Sequence, residues 1–172
     1  MIPSIEHGGL IWITGLSGAG KTALAKELVS FFNNKAILID GDNMREILGT
    51  VDTNYHSNGR KNLAFTYAKL CNMLVNQGFL VICATISMFD DVRNYNRENN
   101  KFYLEVFMDI SKEELVKRDP KKLYADYNNN KINNMAGLDT NVEYPKNPHI
   151  IITEEYSLNT AKDLVINYLN KV

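Results

Sequence analysis

The 172-residue chain is predicted to fold as a three-layer α/β domain built on a five-stranded, mostly parallel sheet. Short apolar runs alternate with helical patterns, the signature of repeated strand-helix-strand units. One run, "FLVICATI", is apolar almost throughout, as a parallel strand buried on both faces must be. Hydrophobic residues make up 45% of the chain, enough for a core that removes roughly two-thirds of the unfolded surface from water.

The elements follow in order. "LIWIT" (10–14) is the first strand, and after it Leu24, Leu28 and Phe31 recur at i, i+4, i+7, the spacing of one helix face. "KAILID" (35–40) is the second strand. Leu63, Tyr67, Leu70, Cys71 and Leu74 mark a helix from Arg60 to Gln77, with Gly78 placed to end it. "FLVICATI" (79–86), "KFYLEVFMDI" (101–110) and "HIIIT" (149–153) supply the remaining strands. Ser157 caps a closing helix that buries Leu164, Val165, Tyr168 and Leu169. Residues 120–148, between the last two strands, include "LYADYNNNKINNMAGLD", which is polar and weakly periodic; an excursion of this length is expected to be a mobile lid within a single domain.

The formal net charge of -1 provides no global basic field, so no nucleic-acid partner is expected. "MIPSIEHGGL" has no basic signal region and "LIWIT" is too short to span a bilayer, so the expected location is cytoplasmic, with no membrane contact. Cys71 and Cys83 have no metal-ligand spacing and read as buried reduced thiols. His7, His56 and His149 also lack metal spacing and read as surface or packing residues, although His56, beside Tyr55, is placed to approach an acceptor phosphate. Phe31, Phe32, Phe65 and Tyr67 are expected in the core, and "RENNK" (97–101) as a solvated loop.

The chemistry begins at "GLSGAGKT", residues 15–22, which satisfies G-x-x-x-x-G-K-[ST] directly after a strand and at the opening of a helix. Gly15, Gly18 and Gly20 let successive backbone N–H groups point inward at phosphate oxygens, and the helix N-terminus adds partial positive charge. The expected ATP cradle is Gly15, Ser17, Gly18, Ala19, Gly20, Lys21, Thr22 and Ala23, with Lys21 reaching the β and γ phosphates and Thr22 holding Mg²⁺. An acidic residue at the end of the third strand would help order that metal, but "VICATIS" ends in Thr85, Ile86 and Ser87. The nearest acids are in "LIDGDNMR": Asp42 is placed to take a proton from an attacking hydroxyl, and Asp40 to order the metal's water shell. The alternative is a D-G-D turn with solvated carboxylates.

Together GLSGAGKT, DGDNMR, "RDPKKLY" and "GLD" resemble the adenosine 5'-phosphosulfate kinases, in order and spacing, from about Trp12 to Pro148. The resemblance implies a P-loop kinase fold and transfer of the ATP γ-phosphate to a ribose 3'-hydroxyl with Mg²⁺, often by a homodimer. It gives Asp42 the role of base and makes Arg45 and Arg60 acceptor-binding arginines. Tyr55 falls where an aromatic stacks on the acceptor base. Lys121 and Leu123 fall in a loop lining the acceptor, with Arg118 just before it near the ATP. Ile86 and Ser87 match the family's I-S-P; for Ser87 a positioning role is favoured over a covalent phosphoserine.

The departures from the family pattern cluster on the acceptor side. Met88 replaces the proline of I-S-P, Asp90 replaces an arginine while Arg93 is retained, Leu63 replaces an asparagine, and Met135 and Ala136 replace F-T in F-T-G-I-D. The exchange of a cation for an acid at position 90 alters local charge by two units near an anionic acceptor. Such a pattern implies a different nucleotide acceptor. Cytidine diphosphoramidate, used in capsular phosphoramidate synthesis by a branch of this family, is the first expectation, with a thioether at Met135 facing a smaller pyrimidine. A true adenosine 5'-phosphosulfate kinase and an inactive nucleotide-binding regulator are the alternatives.

Overall fold

The computed structural model describes residues 7–49 and 57–172. Five strands, β1 (Gly9–Gly15), β2 (Ile37–Asp40), β3 (Leu80–Ala84), β4 (Tyr103–Met108) and β5 (Ile150–Ile152), form one sheet in the order β2-β3-β1-β4-β5. Every pairing is parallel. Seven helices are present among the described residues: α1 (Lys21–Phe31), α2 (Gly41–Ile47), α3 (Ser57–Val75), α4 (Asp90–Asn99), α5 (Lys112–Arg118), α6 (Leu123–Asn128) and α7 (Leu158–Leu169).

The period of two in β1 divides the core into two. Ile11 and Ile13 face one side, packed with Leu24, Ala25 and Leu28 of α1 and Ala161, Val165 and Leu169 of α7. Leu10 and Trp12 face the other, packed with Leu63, Ala64, Tyr67, Ala68, Cys71 and Val75 of α3 and Val92 of α4. Because β1 lies between β3 and β4, its C-terminal end opens at the middle of the sheet, where strand order reverses and ligand crevices form.

The strands and the three longest helices, α1, α3 and α7, fall where periodicity put them, and Ser157 does cap α7, accepting from the Thr160 N–H at 3.1 Å. The others carry no apolar stripe. α4 buries Val92 beside the polar Arg93 and Asn96, so its pattern is inverted. "RENNK" is therefore no solvated loop: Arg97 to Asn99 finish α4, Asn100 is buried, and Arg97 donates to the buried Glu105 at 2.8 Å. Phe31 is also a correction, being 45% exposed and packed edge-on against Phe32 rather than in the core. Cys71 and Cys83 are buried and unbridged. His149 is a packing residue: its Nδ1 accepts from the Glu105 N–H at 2.9 Å, and its ring lies between Tyr103 and Tyr168. His7 is exposed, while His56 lies outside the described residues. No described helix is long and apolar enough to cross a membrane.

Candidate active site

Two adjoining cavities open at the C-terminal edge of the sheet. The smaller, about 190 Å³, is lined by Ser17, Gly18, Gly20, Lys21, Thr22 and Ala23 of the glycine-rich loop, with Gly41, Asp42, Arg45, Ala84, Thr85, Ile86, Pro120 and Lys121. Gly20, at φ +94, turns the chain into α1 without a side-chain cap, and no acid occupies the first helical turn. The orphan N–H groups and the positive end of the helix therefore face the cavity, an arrangement suited to phosphate. Lys21 donates to the Leu16 carbonyl at 2.7 Å, and burial pulls its pKa down to about 8 against the raising effect of Asp42.

β2 delivers the acids. Asp40 is buried and caps α2, its Oδ1 accepting from the N–H groups of Asp42 (3.0 Å) and Asn43 (3.4 Å). Its other oxygen receives the Thr22 hydroxyl at 2.6 Å. D-G-D is thus no solvated turn at Asp40, whereas Asp42 projects outward and pairs with Lys121. Thr22 and Asp40 present hard oxygens at one point beside the phosphate cradle, which fits Mg²⁺ completed by phosphate oxygens and water. Among the described residues no group of three or more His, Cys, Asp or Glu could hold a metal alone, so such an ion would depend on the nucleotide.

The larger cavity, about 480 Å³, is of small-ligand size. Arg45, Arg60 and Lys121 bring cations, Asp42 and Glu46 acids, and Leu63, Ala64, Tyr67, Met88, Phe89, Leu123, Met135 and Val142 an apolar wall. Six residues line both cavities: Ser17, Asp42, Arg45, Thr85, Ile86 and Lys121. A phosphate in the smaller cavity and a hydroxyl in the larger would therefore meet among these six residues, of which Asp42 is the one carboxylate.

Residues 119–146 close the larger cavity. The Asp139 carboxylate accepts from the N–H groups of Asn134 (2.7 Å) and Met135 (2.5 Å), Arg60 donates to the Asn134 carbonyl, and the Glu143 N–H reaches the Met88 carbonyl at 3.0 Å. This segment also rests on the glycine-rich loop, where the Tyr124 hydroxyl donates to the Ser17 carbonyl at 3.1 Å.

Most expected site residues converge here, with exceptions. Arg118 lines neither cavity; it ends α5 and donates to Glu114 at 2.9 Å. Gly15 and Ala19 shape the loop without lining the cavities, the buried Asp40 lines neither cavity and reaches the cradle through Thr22, and Tyr55 lies outside the described residues. Asp90 is not in the cavity wall: its carboxylate pairs with the buried Arg93, so the expected charge change at the acceptor is neutralised within α4. Sequence reasoning missed Glu46, Phe89 and Thr85, and read Tyr67 as core alone. Tyr67 is core and cavity wall at once, its hydroxyl donating to the Gly41 carbonyl at 3.3 Å. The available signal for Thr85 was a hydroxyl ending an unbroken apolar strand.

Comparison with known proteins agrees with this geometry. The Adenylylsulphate kinase family profile matches residues 7–153. Over 140 residues the chain is 39% identical to a cytidine diphosphoramidate kinase of Campylobacter jejuni, covering 80% of this chain and 81% of that protein. It is 37% identical over 171 residues to an adenylyl-sulfate kinase of Pseudomonas aeruginosa, covering 95% and 86%. Its fold is similar to that of the Mycobacterium tuberculosis APS kinase solved with AMPPNP and APS, with a TM-score of 0.87, 29% identity, and coverage of 96% and 99%.

Proposed function

Because the chain belongs to the adenylylsulphate kinase family, and is a kinase of that family, we propose that it transfers the γ-phosphate of ATP to the ribose 3'-hydroxyl of cytidine diphosphoramidate. The observation that carries this reading is the wall of the larger cavity, where Leu63, Met88 and Met135 line the space beside an unaltered phosphate cradle. A thioether wall adapts to a small pyrimidine without a second ring to stack on.

In this reading the acceptor oxygen forms a bond to the γ-phosphorus, the bond from that phosphorus to the β-γ bridging oxygen breaks, and ADP leaves. Asp42, at the junction, takes the hydroxyl proton. Lys21 and the loop N–H groups hold the donor phosphates, while Arg45 and Arg60 hold the acceptor's anionic end. Thr22 and Asp40 would hold Mg²⁺, which neutralises phosphate charge when bound. Residues 120–148 act as a lid in the single domain, the enzyme is a homodimer, and its product serves capsular polysaccharide modification.

Adenosine 5'-phosphosulfate is the second reading, supported by the Pseudomonas similarity and by the APS-bound structural relative. The two acceptors are compared at matched ATP and Mg²⁺. Clear preference for the cytidine compound is expected; preference for the sulfated nucleotide would remove the proposed acceptor. Asp42→Asn is expected to cut turnover at least about 100-fold with ATP affinity retained, and undiminished turnover would take the base role from Asp42.

A further inference from the structure

Where β3 ends, two hydroxyls face one another. Thr85 and Ser87 are only 6% and 7% exposed, their side-chain oxygens are 2.8 Å apart, and both line the larger cavity. Thr85 also lines the phosphate cavity, alongside Arg45. Its backbone N–H bonds to the Ile13 carbonyl at 3.0 Å, so the sheet fixes its place. A methyl group built on Gly41 would stand 3.1 Å from the Thr85 hydroxyl, which therefore lies directly under the turn carrying Asp40 and Asp42. Ser87 is held at φ +29, a conformation that a serine rarely adopts and that the fold must impose.

Packing alone does not account for the pair. Two mutually bonded hydroxyls can be exchanged for apolar groups of similar shape at little cost, so a purely structural role places no demand on them. Their remaining valences do. Two hydroxyls carry two protons and four lone pairs; their mutual bond uses one of each, leaving one donor and three acceptors for other partners, and both residues line the cavity. An anionic group bearing only oxygens can use the single donor. A group bearing both oxygen and N–H can use both kinds of valence.

We propose that the Thr85–Ser87 hydroxyl pair reads the terminal group of the acceptor, accepting from the amide N–H of a phosphoramidate while donating to its oxygen, and so selects it over an all-oxygen terminus. This rests on the cytidine diphosphoramidate reading and adds the residues that recognise the amide. Arg45, which lines the same junction, supplies the charge; the hydroxyl pair supplies the discrimination.

The test compares cytidine diphosphoramidate with cytidine 5'-diphosphate, which differ in the terminal amide and, above the phosphate's second pKa of about 6, in one unit of charge, using wild type, Thr85→Val, Thr85→Ser and Ser87→Ala; the charge difference is common to all four proteins, so the change in preference between them isolates the hydroxyls. Wild type is expected to favour the amidate by about tenfold or more in kcat/KM, the worth of one well-placed hydrogen bond. Thr85→Val is expected to bring the preference to within about twofold with KM for ATP unchanged; Thr85→Ser restores it and Ser87→Ala weakens it. Preference intact in both Thr85→Val and Ser87→Ala overturns the proposal, as does a wild type that does not distinguish the two nucleotides. So does a loss in Thr85→Val that falls on ATP or Mg²⁺ instead of the acceptor. Should Thr85→Val fail to fold, Ser87→Ala decides alone. A wild type that phosphorylates neither cytidine nucleotide overturns the acceptor reading itself, and this proposal with it.

Discussion

The Lys21 ammonium meets the Leu16 carbonyl at 2.7 Å, and its burial holds the pKa at about 8 instead of 10.5. The sign follows from which state holds more protons. Between about pH 8 and 10.5 the unfolded chain holds more, so stability from this group rises with pH across that window, and the cost of burying the charge is full below it. Triphosphate reverses the balance, because an adjacent anion favours the protonated amine. ATP binding at about pH 8 is therefore expected to take up about half a proton. Calorimetry in buffers of different ionisation enthalpy measures this directly, and identical heats in two such buffers would show that Lys21 is already fully charged. The same residue shows what one motif reveals: its place in the glycine-rich cradle that lines the smaller cavity was legible in GLSGAGKT, whereas its depressed pKa depends on burial, Asp42 and Lys121, none of which the spacing displays.

At the level of elements, legibility tracked apolar periodicity. β1 and β3 are buried throughout and read as continuous apolar runs, and the α1, α3 and α7 helices bury regular stripes, so all five were readable. α2 buries only Met44, and α4 turns Arg93 and Asn96 inward, so in neither does an apolar stripe mark the buried face. The segment over the acceptor cavity was legible only as an excursion; its geometry depends on contacts distant in sequence, such as Arg60 to the Asn134 carbonyl and Tyr124 to the Ser17 carbonyl. Gly137 is a further close approach between this segment and the glycine-rich loop. At φ +81 it lies against the glycine-rich loop, where an added Cβ would be 2.7 Å from Leu16 Cδ2. Gly137→Ala strains the backbone at this positive φ and forces either the Leu16 side chain or this turn to shift, which disturbs Met135, the cavity wall two residues away. The expected result is a five- to tenfold rise in acceptor KM, roughly 1–1.4 kcal/mol. Leu16→Ala in the same chain should recover part of it, since the clash goes while the backbone strain stays. Wild-type KM in Gly137→Ala would mean that the contact does not position the wall.

For the whole molecule, the decisive feature is that the larger cavity lies where the two cores meet. Leu63, Ala64 and Tyr67 of its wall belong to the core on the α3 side, while Met88, Met135 and Ala136 belong to the core on the α1 side. The smaller cavity joins it through six shared residues drawn from the glycine-rich loop, α2, the end of β3 and the Lys121 loop. An occupant of either cavity therefore ties together segments that unfolding must separate, and stabilises the native chain by mass action. AMPPNP with Mg²⁺ at a hundred times its Kd is expected to add about 2.7 kcal/mol, roughly 5–11 °C in Tm for a chain of this length. Under the proposed function the acceptor occupies the larger cavity, so cytidine diphosphoramidate added to the saturated complex should raise Tm again by a comparable increment. Thermal denaturation with each ligand alone and with both separates the cases. A nucleotide shift that the acceptor does not extend would mean that the larger cavity binds something else, while a total shift with both ligands larger than the sum of the two separate shifts would measure coupling between the cavities.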